Sequence, residues 1–189
     1  EKTADEFAQT GVGSVPEALN TAAGGEPIWE MDARLRRPIL IANPEGVTLS
    51  GDGLSEDTAF QIPDLPTLTY FRDLINKGET YTVEGSEGSH SYASACYVLT
   101  KDIDMNPGYT YYPETDTWTE DSSGDEVTNK SVLQNWTPIG ASDNKFTGTF
   151  DGGGRTISGL YINKDVTSGT GSVYLGLFGY VGEGTVKEL

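Results

Sequence analysis

The chain has 189 residues, enough for one domain with a real core or for one domain and a small attached unit. Hydrophobic residues make up 35% and glycines number 24, a balance that favours turns and short strands over a helical bundle. Twelve Lys and Arg against 29 Asp and Glu give a net charge of −17, which argues against nucleic-acid binding and against adsorption to anionic membranes; a single Cys excludes an internal disulfide framework, and a single His excludes any zinc site that needs two imidazoles.

No apolar run approaches the ~18–20 residues needed to cross a bilayer, so direct membrane insertion is not expected. The densest run, residues 38–42, is too short even for a signal-peptide core. The chain opens on Glu1-Lys2-Thr3, which points to a removed leader or an excised piece. Its acidic, Thr- and Gly-rich, cysteine-poor composition fits a bacterial secreted protein.

In chain order, residues 1–45 read as a small helix-plus-strand segment. Thr3 and Glu6 fit a capping box, and Ser14-Val15-Pro16-Glu17 repeats the signal with proline in the first turn. Ala18, Leu19 and Ala22 offer an apolar stripe that Gly24-Gly25 ends. Residues 27–31 and 36–41 then read as short strands. The turn-rich stretch 43–57 is the candidate boundary, and residues 46–189 form the second domain.

The clearest helix spans residues 65–76. Asp64 can cap it, Pro66 lies in the first turn, and Leu68, Phe71, Leu74 and Ile75 share one face; Gly78 supplies a left-handed stop. Beyond Gly78 the period becomes extended. Strand candidates are residues 97–100, 146–150, 156–162, 174–178 and 185–189, separated by glycine clusters. A long polar insert, residues 106–135, carries six acids from Glu114 to Glu126 and gives no strong secondary-structure signal.

Several candidate groups stand out. Tyr109, Tyr111, Tyr112 and Trp118 in the insert offer aromatic area for stacking on a sugar or a protein, against a plainer reading as local packing over the rest of the domain. Asp52, Glu56 and Asp57 are candidate oxygen ligands for Ca²⁺, as are the insert acids, although neither set follows an EF-hand spacing. The alternative for both is turn chemistry and solvated charge. Asp102 and Asp104 are two residues apart and could form a hydrolytic carboxylate pair, or could simply bind turn backbone. Gly152-Gly153-Gly154 lacks the Lys-Ser/Thr of a phosphate loop. His90 lies in a polar loop, and Cys96 sits beside a strand as a small buried hydrophobe would.

Taken together, the order G-D-G-L-S-E-D-T-A-F-Q-I (51–62), L-P-T-L-T-Y-F-R-D-L-I-N-K-G (65–78), Y-V-L-T-K-D-I-D-M (97–105), W-T-P-I-G (136–140), F-T-G-T-F-D-G-G-G-R-T-I-S-G-L-Y-I (146–162) and Y-L-G-L-F-G-Y-V-G-E-G-T-V-K-E-L (174–189) closely resembles the GLUG-motif surface proteins of bacteria. These include large adhesin-like proteins and the non-catalytic regions of immunoglobulin-A-cleaving metallopeptidases. The motif itself is Gly176-Leu177-Phe178-Gly179. The resemblance covers about three-quarters of the chain. The stretch W-E-M-D-A-R-L-R-R-P-I-L (29–40) is similar to the closing segment that follows such arrays, and here it precedes the motif block.

The resemblance implies a mainly β fold, a right-handed parallel β-helix, with the helix at 65–76 capping the first rung and a small α/β segment at the N-terminus. Short strands with glycine corners cannot bury their apolar faces alone, and stacked rungs can. The insert is longer than the pattern has, and the array stops in mid-motif at Leu189, which points to a truncated chain. The implied function is a non-enzymatic, adhesin-like module, secreted or at the cell surface and part of a longer chain, that presents a rigid face to a host protein or glycan without a cofactor. Two alternatives stay open: a passive structural spacer, and a non-catalytic part of a carbohydrate-active enzyme or peptidase. Asp102 and Asp104 fall in the structural repeat, which argues against catalysis.

Overall fold

A computed structural model describes residues 29–32, 37–40, 47, 49–164 and 173–189. The chain divides into two compact units, Glu1–Val47 and Thr48–Leu189. In the first, β1 (Trp29–Asp32) and β2 (Arg37–Leu40) form an antiparallel pair with Trp29 opposite Leu40 and Asp32 opposite Arg37. The helical signals at residues 3–25 lie outside the described residues.

The second unit is organised around a four-stranded parallel sheet in the order β12-β10-β6-β3. Its strands are short: β3 is Phe60–Ile62, β6 Cys96–Leu99, β10 Thr149–Asp151 and β12 Thr185–Lys187. The register aligns Phe60, Tyr97, Phe150 and Val186 in one column. The first three are buried aromatics, whereas Val186 at the outer edge is 38% exposed. The neighbouring column runs Gln61, Val98, Asp151, Lys187 on the opposite face, as the two-residue period of a strand requires. Lys187 Nζ there meets Asp151 at 3.3 Å and Glu56, from the loop before β3, at 2.6 Å.

A second parallel pair joins β7 (Ile103–Asp104) to β11 (Ile157–Ser158). Further parallel bridges link Asn135 to Tyr161, Ile139 to Phe178 and Phe146 to Val181. Two glycines beside β10 allow close backbone approach. A side chain on Gly148 would collide with the Ala95 carbonyl, and one on Gly152 with the Glu188 carbonyl.

Helix α1 spans Leu65–Lys77, one residue beyond the sequence expectation. Asp64 accepts from the Thr67 amide at 2.9 Å and the Thr67 hydroxyl at 2.6 Å, which satisfies a free N-terminal donor. Gly78 ends the helix in the left-handed region at φ 71°. Leu68, Phe71 and Ile75 are fully buried, each contributing about 1.5–3 kcal/mol by transfer from water. The Phe71 ring lies 3.8 Å from Tyr97 and 5.9 Å from Phe150, so the helix packs on the second and third strands and not on the edge of β3 alone. The edge amide of Gln61 is taken instead by the Ser50 carbonyl at 2.9 Å.

Four expected strands are shorter or absent: of residues 146–150 only Thr149 and Phe150 lie in β10, and of residues 185–189 only Thr185–Lys187 remain as β12. Residues 156–162 keep only Ile157–Ser158, because Gly159 turns the chain at φ 68°. Residues 174–178 form no strand and bridge only through Phe178, two residues after Gly176 at φ 146°. Conversely, β4 (Thr80–Tyr81) and β5 (His90–Ser91) form an antiparallel pair, and the insert contains β8 (Tyr109–Tyr112) and β9 (Thr117–Glu120).

Candidate functional site

The insert is a folded unit with a closed base. Asn106 is buried, and its carboxamide uses both ends. Nδ2 donates to the Gly159 carbonyl at 2.7 Å and to the Gln134 carbonyl at 3.3 Å, while Oδ1 accepts from the Gln134 amide at 2.5 Å. Asp104 Oδ1 in turn accepts from the Asn106 amide at 2.9 Å. A buried carboxamide with its donors and acceptor all used holds one geometry.

From this base β8 and β9 rise as an antiparallel hairpin, with Tyr109 opposite Glu120, Tyr111 opposite Trp118 and Tyr112 opposite Thr117. Its turn places Asp116 in the left-handed region at φ 53°, and the Tyr111 hydroxyl donates to Asp116 Oδ1 at 2.9 Å. That bond holds the Tyr111 phenol above its ordinary pKa. A third extended stretch pairs through Thr119 and Glu126, and the Val127 amide donates to the Trp118 carbonyl at 2.7 Å. Tyr109, Trp118, Val127 and Leu133 close a small core of their own, with Trp118 set edge-on to Tyr161 at 6.0 Å.

This packing corrects the expected platform. Tyr109 and Trp118 are only 8% and 4% exposed, because they are the interior of the hairpin unit. Tyr111 and Tyr112 are 41% and 47% exposed. Adjacent strand residues point to opposite faces, so these two do not form one flat surface. Tyr111 overlies Trp118 at 5.3 Å, and Tyr112 stands on the other side. Around them Glu114, Asp116, Asp121, Asp125 and Glu126 are exposed.

The remaining candidates resolve into turns and pairs. Asp52 Oδ1 accepts from the Leu54 amide at 2.9 Å, and hydrogen bonds from Thr58 and Leu54 hold its carboxyl below the usual value. Glu56 is engaged with Lys187, and Asp57 is exposed. These three do not converge into an oxygen cage. Among the described residues no group of three or more acidic, His or Cys side chains could hold a metal ion.

Asp102 Oδ1 accepts from the Thr156 amide at 2.9 Å, so both acids of the D-I-D run bind backbone. Asp151 Oδ1 accepts from the Gly153 amide at 2.7 Å, which makes the glycine run a strand-end turn. His90 Nε2 lies 3.0 Å from Ser86 Oγ, and Cys96 is half-buried, with burial as the main cause raising its thiol pKa. One feature escaped the sequence: the rings of Tyr81, His90 and Tyr92 come together, and nothing in their spacing marks them as neighbours.

No family model matches the chain, and no solved structure matches it. A protein of Evansella cellulosilytica whose name describes it as a Gly-rich membrane protein is 44% identical over 55 residues. That stretch is 29% of this chain and 6% of the relative, so the chain spans only a small part of that protein.

Proposed function

We propose that this chain is a non-enzymatic, extracellular module of a bacterial surface protein, built as a right-handed parallel β-helix whose insert meets a host protein or glycan. The observation that carries the proposal is the in-register parallel ladder β3-β6-β10-β12 together with a hairpin insert clamped at its base by Asn106. Parallel strands three or four residues long, with glycines where backbones touch, suit a solenoid that presents a stiff face. Crossovers between parallel strands of one sheet strongly prefer the right hand, which supports this reading. The order of motifs ending in Gly176-Leu177-Phe178-Gly179 supports kinship with GLUG-motif proteins. The name of the Evansella cellulosilytica relative accords with a place in the cell envelope, and no helix among the described residues is long and apolar enough to cross a membrane.

In this reading recognition runs through shape and polar contact around Tyr111, Tyr112 and the flanking acids, without a cofactor. The burial of Tyr109 and Trp118 favours a second reading, a passive spacer, because it leaves little aromatic surface on the insert. A binding screen of the whole chain against extracellular-matrix proteins and a glycan array separates the two. A saturable hit that weakens in Tyr111→Ala or Tyr112→Ala, with the melting temperature moved by no more than about 2 °C, sustains the adhesive reading. A folded sample without a hit favours the spacer.

A further inference from the structure

A second aromatic surface lies where the buried column of the sheet begins. Phe60 is its floor. Tyr81 stands edge-on to Phe60 at 5.2 Å, Tyr92 lies 5.9 Å from it, and the Tyr81 and Tyr92 rings are 4.6 Å apart with planes tilted by 36°. The His90 ring is 5.6 Å from Tyr81. Tyr81, His90 and Tyr92 are all half-buried, over a buried Phe60.

The backbone fixes this arrangement. Tyr81 is paired with His90 across β4 and β5, the Tyr92 amide donates to the Glu79 carbonyl at 3.2 Å, and the Tyr97 hydroxyl donates to the Tyr92 carbonyl at 2.8 Å. Gly53, at φ 68°, leaves room for it: a side chain there would strike the Phe60 ring and stand 3.0 Å from the Tyr81 hydroxyl.

Two carboxylates bear on these rings, and the His90 imidazole interacts with one of them, Asp52. Glu79 is close enough to raise the phenols of Tyr70 and Tyr92 beyond what burial does, and Asp52 acts likewise on Tyr81. Glu79 is exposed and Asp52 half-exposed. An aromatic face is negative over its π-system, and a cation there is attracted by the ring and by a nearby carboxylate together. The net charge of −17 repels anionic ligands and adds to the pull on cations.

We propose that Tyr81 and Tyr92, over Phe60 and flanked by Asp52 and Glu79, form a binding site for an organic cation of the quaternary or methylated ammonium class. The site is built from other segments than the insert and does not depend on the adhesive reading of it. A quaternary ammonium group is weakly hydrated and loses little on leaving water for the rings. A sugar would find tilted, crowded rings in place of one flat plane.

The test is an NMR titration of the whole chain with choline, followed on the tyrosine ring resonances, beside 3,3-dimethyl-1-butanol as the uncharged isostere. Saturable shifts of Tyr81 and Tyr92 with choline, absent with the isostere, are expected. Tyr81→Phe keeps the π face and the affinity. Tyr81→Leu keeps apolar cover on Phe60 but weakens binding by about fivefold, and Glu79→Gln, a change at an exposed residue that leaves the packing alone, weakens it by a similar factor. Equal shifts with the two probes, no saturable shift with choline, or full affinity in Glu79→Gln would each overturn the proposal. So would cellohexaose moving these resonances where choline does not.

Discussion

Asn106 and Gln134, the two ends of the insert, exchange hydrogen bonds in both directions, with Asn106 Oδ1 accepting from the Gln134 amide and Nδ2 donating to its carbonyl. The same Nδ2 reaches the Gly159 carbonyl, so one buried carboxamide joins the insert to the strand layer beneath it. Asn106→Ala leaves one donor and two acceptors, of Gln134 and Gly159, without their partner at a part-buried site. The expected loss is about 3 kcal/mol, seen as a lower midpoint in urea denaturation. A loss below about 0.5 kcal/mol would mean that water takes over the bonds and the clamp is dispensable.

The helix rests on a similar concentration of contacts. Phe71 is fully buried and touches the rings of Tyr97, Phe146 and Phe150. Phe71→Ala opens a cavity at the meeting point of α1 and the ladder, and is expected to cost about 3–5 kcal/mol. In a unit of this size each kcal/mol lowers the melting temperature by roughly 2–4 °C, so calorimetry resolves the effect easily. Leu74, on the same expected stripe but half-buried, serves as the comparison, and Leu74→Ala is expected to cost less.

How much of this was legible depends on the range over which each element is specified. The helix is specified locally: Asp64, Pro66, the spacing of Leu68, Phe71 and Ile75, and Gly78 all lie within fifteen residues, and the structure places its ends accordingly. The strands of the ladder pair with partners dozens of residues away, so the sequence marks their apolar centres and not their ends. Gly159 and Gly176 cut two of them short through backbone conformation that hydrophobic pattern does not carry. The insert hairpin lacks an Asn-Gly or Asp-Gly turn and uses Asp116 in the left-handed position. Its alternation, Tyr-Thr-Tyr-Tyr facing Thr-Trp-Thr-Glu, is the signal that was present. Trp118 looked available because its cover, Tyr161, lies far along the chain.

That cover makes the hairpin separately testable. Trp118→Ala removes the centre of the small core formed with Tyr109, Val127 and Leu133. The expected result is local opening of the insert, with new protease cleavage between residues 106 and 135, while the helix and ladder keep their far-ultraviolet circular dichroism. Tyr112→Ala, at an exposed position on the other face, is expected to change stability by less than about 0.5 kcal/mol. Global unfolding in Trp118→Ala would show that the insert and the ladder form one cooperative unit.

Two phenols, buried Tyr97 and half-buried Tyr81, are expected to set the alkaline limit of the fold. Burial, the main cause, pushes Tyr97 well above the ordinary phenol range and raises Tyr81 to about 12. The native state therefore holds these protons more tightly than the unfolded chain, whose phenols titrate near pH ~10. The resulting stability is fully present below that pH and is lost as the pH rises through the native values. Tyr97→Phe gives up the hydrogen bond to the Tyr92 carbonyl, a loss of about 1 kcal/mol at neutral pH, but carries no phenol to ionise. Urea denaturation at pH 7 and again near pH 11 should show the variant less stable than the parent at the first and closing the gap at the second. A gap of the same size at both values would assign the alkaline limit to other groups.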